Sequence, residues 1–326
     1  MRVLITGATG LVGTALTEAL LARGDEIVGL TRNADRARAK QPAVDWHEWQ
    51  PPGGAGGGET PPVTAFEGVD AIVNLQGERI DQRWTDEAKR RIMESRRDAT
   101  RVLAETVARL AEKPAVVVSG SAVGIYGDRG DDPVDENSAT GLDLAAGRGG
   151  PAGGPAGSSD SAGFDTLVVG AWEQAAEGFG NVGVRLVNLR TGHVLDPSGG
   201  LLGRLLLPFR LGLGGPIAGG DQYLSWVHID DEVGIILWAL DTETVSGPIN
   251  ATAPDPASNR DFTKALGRAL GRPALLPLPG VALDVMYGSE FAATIKGGQR
   301  VLPARAQELG YRFRHPDLDQ ALTALL

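Results

Sequence analysis

Residues 1–13 read MRVLITGATGLVG, a β-branched run that ends in glycines at positions 7, 10 and 13. Val3, Leu4 and Ile5 predict a buried strand. Leu11 to Arg23 predicts the helix that follows, with Leu11, Ala15 and Ala19 on its stripe and Leu16 and Leu20 beside them. Each glycine has its own task. Gly7 permits a tight reversal, Gly10 lets a pyrophosphate approach the backbone, and Gly13 lets the helix pack closely on its strand. Thr9, Leu11 and Val12 complete the turn, and the helix start offers free N–H groups and the positive end of a dipole. With a second strand at Glu26 to Leu30, the stretch reads as a dinucleotide-binding βαβ unit.

Working outward, strand and helix patterns alternate over the first two-thirds of the chain, which predicts a doubly wound parallel sheet. Strands are expected at Ala71–Leu75, Ala115–Ser119 and Val184–Leu189. A long helix is expected at Asp86–Ala111, with Ile92, Ala99, Leu103 and Val107 inward, and another around Ala171–Glu177. Two Gly- and Pro-rich stretches, Pro51–Pro62 and Ala145–Gly163, read as mobile surface segments. After Asn250 the character changes, with a helix at Asn259–Leu270, the proline-punctuated Pro273–Pro279 and a terminal helix after Pro316. The expected class is α/β: a Rossmann-type sheet domain over residues 1–175 and a smaller C-terminal α/β lobe over 176–326. Val184–Leu189 and Trp226–Val233 are expected to return to the sheet, interleaving the two.

Composition narrows the function. The 326 residues carry a net charge of −10, and the one dense basic patch, Lys89–Arg91 with Arg96 and Arg97, suits a solvated helix face rather than a nucleic-acid footprint. There is no cysteine, so disulfides and thiolate chemistry are excluded, in keeping with a reducing cytoplasm. His47, His193, His228 and His315 form no metal-spaced pair, and no metal is expected. No apolar run reaches spanning length, and a strand starting at residue 2 leaves no room for a signal peptide.

Several motifs occur in order: TGATGLVG (Thr6–Gly13), IVNLQG (Ile72–Gly77), SGSAVGIYG (Ser119–Gly127), LRTGHVL (Leu189–Leu195) and SWVHIDD (Ser225–Asp231). In these the chain resembles the extended short-chain dehydrogenases/reductases, the superfamily of nucleotide-sugar epimerases and dehydratases. GERI (Gly77–Ile80), Arg83–Trp84, Ser95–Arg96, PFRLGLGGP (Pro208–Pro216), NATAP (Asn250–Pro254) and GQRVLP (Gly298–Pro303) narrow the likeness to an atypical epimerase-like family of unsettled substrate.

For the cofactor, an acidic residue at the end of the second strand would hold the ribose 2′-hydroxyl of NAD, whereas this chain has Thr31 and Arg32. A guanidinium there favours NADP(H) through charge-assisted bonds to the 2′-phosphate. The resemblance implies that Arg96 adds a contact and that Asn74, Leu75, Gln76 and Gly77 line the adenosine side. It also implies that Ser119 and Gly120, with Arg190, Thr191, Gly192 and Val194, lie toward the nicotinamide.

Relatives use a tyrosine with a lysine four residues later, which tunes the phenol for proton transfer. Four residues after Tyr126, Tyr223, Tyr287 and Tyr311 stand Gly130, Val227, Phe291 and His315, so the pair is absent. By alignment with the family helix, Asp165 falls near the tyrosine position and Val169 near the lysine. Ser121 is the expected surviving serine. Tyr126 with Arg129, Glu78 with Arg83, and His228 are the candidate proton carriers; a strand-end anchor, an ion pair and an architectural histidine are their plainer readings. Tyr223, Trp226, Phe209 and Arg210 are expected to wall the cleft. The implied activity is NADP(H)-dependent epimerisation or oxidoreduction of a small polar metabolite, with a catalytically silent NADP(H) sensor or scaffold as the rival. Relatives pair through helices equivalent to Asp86–Ala111 and the region near Trp172, so a homodimer is an expected state, without nucleic acid or membrane partners.

Overall fold

The computed structural model describes residues 1–54, 57–148 and 162–326. Seven strands form one sheet: β1 (Arg2–Thr6), β2 (Glu26–Thr31), β3 (Asp45–Glu48), β4 (Ala71–Asn74), β5 (Val116–Ala122), β6 (Arg185–Thr191) and β7 (Gly247–Ala251). Their spatial order is β7-β6-β5-β4-β1-β2-β3, and every pairing is parallel. The order reverses at β1, which has β2 on one side and β4 on the other. That reversal opens a crevice at the carboxyl ends of the strands.

Both sheet faces are covered, which is why the strands read as continuous apolar runs rather than alternating ones. Helices α1 (Leu11–Arg23) and α4 (Ile229–Asp241) bury Leu16, Leu20, Ile235 and Ile236 against Val3, Ile5, Val118 and Val187. On the other face α2 (Asp86–Arg109) and α3 (Phe164–Gly180) bury Leu103, Val107, Ala176 and Phe179 against Leu4, Ile72 and Val117. The stripe of α1 differs from its sequence reading. Gly13, Leu16, Thr17 and Leu20 are buried, while Leu11, Ala15 and Ala19 are only half-buried. The helix turns toward its strand through Gly13, the residue that allows closest approach.

The C-terminal lobe has its own core of Leu195, Leu202, Phe209, Trp226, Phe262 and Leu322. Asp231 ties the chain's end to the first turn of α4, accepting the N–H groups of Arg314 at 2.7 Å and His315 at 2.8 Å. Trp226 to Val233 does not return to the main sheet: Trp226–His228 pairs with His193–Asp196 in a small separate sheet, and the rest opens α4. The seventh sheet strand is instead β7, a segment whose Gly-Pro start hides a strand. Trp226 and Phe209 are lobe core rather than cleft wall.

Of the stretch expected to be a mobile loop, Pro51–Pro62, residues 55 and 56 lie outside the described residues. Glu59 N–H bonds Gln50 O at 2.9 Å, and a Cβ on Gly53 would lie 2.5 Å from the backbone nitrogen of Ser95. Most of the second stretch, residues 149–161, lies outside the described residues. Among the described residues no helix is long and apolar enough to cross a membrane.

Candidate functional site

The turn after β1 is built from close backbone contacts. Gly7 sits at φ +72°, and a Cβ on it would lie 2.8 Å from the carbonyl oxygen of Leu75. The Gly10 N–H closes the turn on Gly7 O at 2.9 Å. On Gly13 a Cβ would fall 2.2 Å from that same oxygen, so only glycine lets α1 start here. Helix α1 opens on Gly10 with no side-chain cap and no acidic residue in its first turn. Its first N–H groups, at Leu11, Val12 and Gly13, therefore await an external acceptor, as at an anion site. Thr9 and Gly10 are exposed beside them.

Thr6, Asn74 and Ser119 hold the neighbouring strand ends together. Thr6 Oγ1 donates to Asn74 Oδ1 at 2.7 Å and accepts from the Gln76 N–H at 3.3 Å. Asn74 Nδ2 donates to Thr100 at 2.9 Å and to Ser119 at 3.4 Å. The Asn74 and Ser119 side chains are thus fully buried struts that fix the course of Leu75–Gly77. At the tip of β2, Thr31 is half-buried and Arg32 exposed. Gln50 Nε2 holds the Arg32 carbonyl at 2.9 Å, and among the described residues no carboxylate stands within 4.0 Å of its guanidinium.

At the β6 end, a Cβ on Gly192 would lie 2.2 Å from Ser225 O, so this glycine lets the lobe's first strand pass. Val194 packs half-buried on the same core as Leu75 and Val12. Thr191 Oγ1 donates to Glu232 Oε1 at 2.7 Å, while Glu232 Oε2 is buried without a partner. Burial pushes the Glu232 carboxyl up from 4.5 to about 8, against the hydrogen bond from Thr191. The unfolded chain ionises this group above about 4.5 and the fold resists until about 8, so its stabilising effect is complete below that window and is lost as pH rises through it. Thermal melts should show Glu232→Gln losing less stability than the parent between those limits; parallel curves would contradict the assignment.

The expected proton carriers fall into different places. Ser121, Glu173, Arg190, Tyr126 and Asn250 form one buried chain. Ser121 Oγ donates to Glu173 Oε1 at 2.6 Å. Arg190 grips Glu173 through Nε at 2.8 Å and Nη2 at 2.9 Å, and its Nη1 donates to the Tyr126 hydroxyl at 2.9 Å. Tyr126 then donates to Asn250 Oδ1 at 2.8 Å. Burial pushes the Tyr126 phenol up despite Arg190, and the residue has no exposed surface. It anchors the end of β5 against β7. Burial also opposes the Arg190 charge, but the bonds and field of Glu173 outweigh it and hold the guanidinium protonated. Arg190 is therefore committed inside the network.

Asp165 opens α3 near Gly124, two helical turns and about 12 Å from the Glu173 that holds Ser121. A carboxylate there lacks the reach of a tyrosine. Val169 is buried apolar core. Glu78 turns its carboxylate toward Gln82 Nε2 at 3.3 Å and Arg91 at 3.9 Å. His228 caps α4, its Nδ1 accepting the Asp230 N–H at 3.0 Å, and stacks on His315 with centroids 3.7 Å apart. With Asp230 these two rings form a cluster, yet stacked rings cannot both aim in-plane lone pairs at one ion.

Sequence reading passed over Glu173 and placed the region near Trp172 only at a pairing surface. The signal was an acid beside Trp172 midway along α3, matched by an arginine near the carboxyl end of β6. A depression of about 530 Å³, lined by Met1, Asp70, Arg185, Asp241 and Glu243, opens at the amino ends of the strands, far from the glycine turn. Its acidic lining and remote edge leave the carboxyl-end crevice as the site.

Comparison with known proteins agrees with this geometry. A model of the NAD dependent epimerase/dehydratase family matches residues 3–145, and a domain of unknown function, DUF1731, matches 278–325. The chain is 37% identical over 330 residues to the epimerase family protein SDR39U1 of Bos taurus, covering 100% of both. It is 34% identical to the epimerase family protein YfhF of Bacillus subtilis, covering 100% of this chain and 98% of that one. The crystal structure of human SDR39U1 isoform 2 with NADPH superposes with a TM-score of 0.82 at 33% identity, covering 100% of this chain and 99% of that one. The chain belongs to the NAD-dependent epimerase/dehydratase family, as a relative of the SDR39U1 epimerase family proteins.

Proposed function

We propose that this protein binds NADP(H) in the crevice at the carboxyl ends of its strands and uses it on a small polar metabolite. The observation that carries the reading is the uncapped α1 start together with an exposed Arg32 that has no carboxylate within 4.0 Å among the described residues. The first-turn N–H groups suit a pyrophosphate, and Arg32 suits a 2′-phosphate that an acid would repel. The NADPH in the human relative's structure supports the same choice. When bound, the nicotinamide supplies a hydride acceptor or donor.

In this reading Gly7, Thr9, Gly10, Leu11, Val12 and Gly13 receive the pyrophosphate. Leu75, Gln76 and Gly77 line the adenosine side, and Gly120, Thr191, Gly192 and Val194 the nicotinamide end. Asn74, Ser119 and Arg190 position these segments. Ser121 is the polar group at the reacting end, and Glu173 takes its proton's hydrogen bond. Tyr126 is a structural tyrosine.

Arg32→Glu should weaken NADPH binding at least tenfold, about 1.4 kcal/mol, with the melting temperature unchanged. Equal affinity in the variant removes Arg32 from the site. Incubation with NADPH and a carbonyl and nucleotide-sugar panel tests turnover. Cofactor consumption or an isomerised product supports an enzyme, whereas tight NADPH binding with every candidate unchanged supports a sensor.

A further inference from the structure

Two stretches of the C-terminal lobe, residues 200–216 and 271–283, contain no acid, although the chain holds 41 acidic residues against 31 lysines and arginines. The fold brings them together. Leu276 N–H donates to Gly214 O at 3.0 Å, Leu278 N–H to Pro216 O at 2.9 Å, and Ala218 N–H to Leu278 O at 2.9 Å. The helix Gly280–Tyr287 starts beside this ladder, where a Cβ on Gly280 would lie 3.5 Å from that of Ala218. Around the join Leu211, Leu213, Leu275, Leu276, Val281 and Val285 are each between 53% and 79% exposed. Single exposed apolar residues are ordinary, but a cluster of this size marks an interaction surface. Arg210 and Arg272 stand next to it in the chain, both exposed. Among the described residues neither side chain has a hydrogen bond or a carboxylate within 4.0 Å. The acids at the edges are already paired, Asp284 with Lys296 at 2.8 Å and Asp221 with Arg260 at 2.9 Å.

We propose that this face docks on an anionic lipid surface. The expectation of no membrane partner rests on the want of a spanning run, and a peripheral contact needs none. The leucines and valines enter the boundary of the acyl chains while Arg210 and Arg272 meet headgroup phosphates. The net charge of −10 opposes approach by the acidic remainder of the surface, so an anionic bilayer selects the face without acids. Backbone chemistry favours lipid over a protein partner. Pro273, Pro277 and Pro279 have no N–H, and those of Leu276 and Leu278 are spent inside the ladder. Few backbone donors are left to desolvate, which suits hydrocarbon and gives a protein interface little to bond. A second copy fits less well. A two-fold pair sets the face against itself and finds no acid in either stretch for the arginines.

The test is cosedimentation of the full chain with vesicles of phosphatidylcholine, alone or mixed equally with phosphatidylglycerol. The parent protein should bind the mixed vesicles at least about tenfold more tightly than the neutral ones, and added salt should weaken that binding. Leu275→Asp combined with Val281→Asp should weaken it about tenfold or more, with melting temperature and NADPH affinity unchanged. Arg210→Gln combined with Arg272→Gln should weaken it by a similar factor, about tenfold. Absence of binding to the mixed vesicles, equal binding to both kinds, or unchanged binding in either double variant overturns the proposal. So does self-association of the parent in sedimentation velocity that the aspartate variant abolishes, which would give the face to a second copy. If the aspartate variant melts early, Leu275→Ser with Val281→Ser decides the matter, since it removes the apolar surface without adding charge.

Discussion

Gly13→Ala should unfold the protein at markedly lower denaturant and abolish NADPH binding. The added carbon would lie 2.2 Å from Gly7 O and 2.7 Å from Ala8 Cα, both backbone atoms with no rotamer to yield. Helix α1 must then lift from β1, which costs about 3 kcal/mol on the scale of overpacked cores. Its lifted start also no longer aims N–H groups at the anion. Gly10→Ala is the control, since its Cβ meets only Gly7 O at 3.2 Å. It should keep most of the stability and still lose NADPH affinity, because the added methyl points into the open side of the turn. Equal stability for Gly13→Ala and the parent would mean that the turn is not packed as described.

Arg190→Met should be the most damaging change away from that turn. It leaves the Glu173 carboxylate with the Ser121 hydroxyl as its donor and the Tyr126 hydroxyl without the Arg190 bond, with side-chain exposures of 16% for Glu173 and 7% for Arg190 in the parent. Breaking one side of a buried pair costs about 3–5 kcal/mol, and the partial exposure of Glu173 puts the expectation near the lower end. Adding Glu173→Gln should recover part of the loss, because the stranded charge disappears. Urea denaturation of the two single variants and the double variant measures this. Strict additivity would show that the two side chains do not interact.

The sheet and its glycine turn were legible because the information is local. Gly7, Gly10 and Gly13 report a backbone geometry that only glycine fits, and the runs at β1, β4 and β5 are apolar on both faces. The bounds of α1 were readable from its own residues, though its buried stripe was not, because Gly13 rather than side-chain bulk sets the helix's rotation. Strand β7 was hidden by its Gly-Pro start and by pairing with β6, which lies far away in sequence. The reacting end was least legible. Tyr126 follows a conspicuous strand-end motif, yet its burial depends on Arg190 and Asn250, which are remote in the chain. Glu173 and Trp172 acquire meaning only once α3 is laid across β5 and Arg96 is placed on the indole.

One titration tests the central claim most directly: NADPH, NADP⁺ and NADH added in a calorimeter to the unmodified protein at low salt. The account predicts saturable binding of one NADPH per chain, with NADH at least about tenfold weaker for want of the phosphate that Arg32 would hold. Absence of heat with all three nucleotides, or tighter binding of NADH than of NADPH, would contradict it.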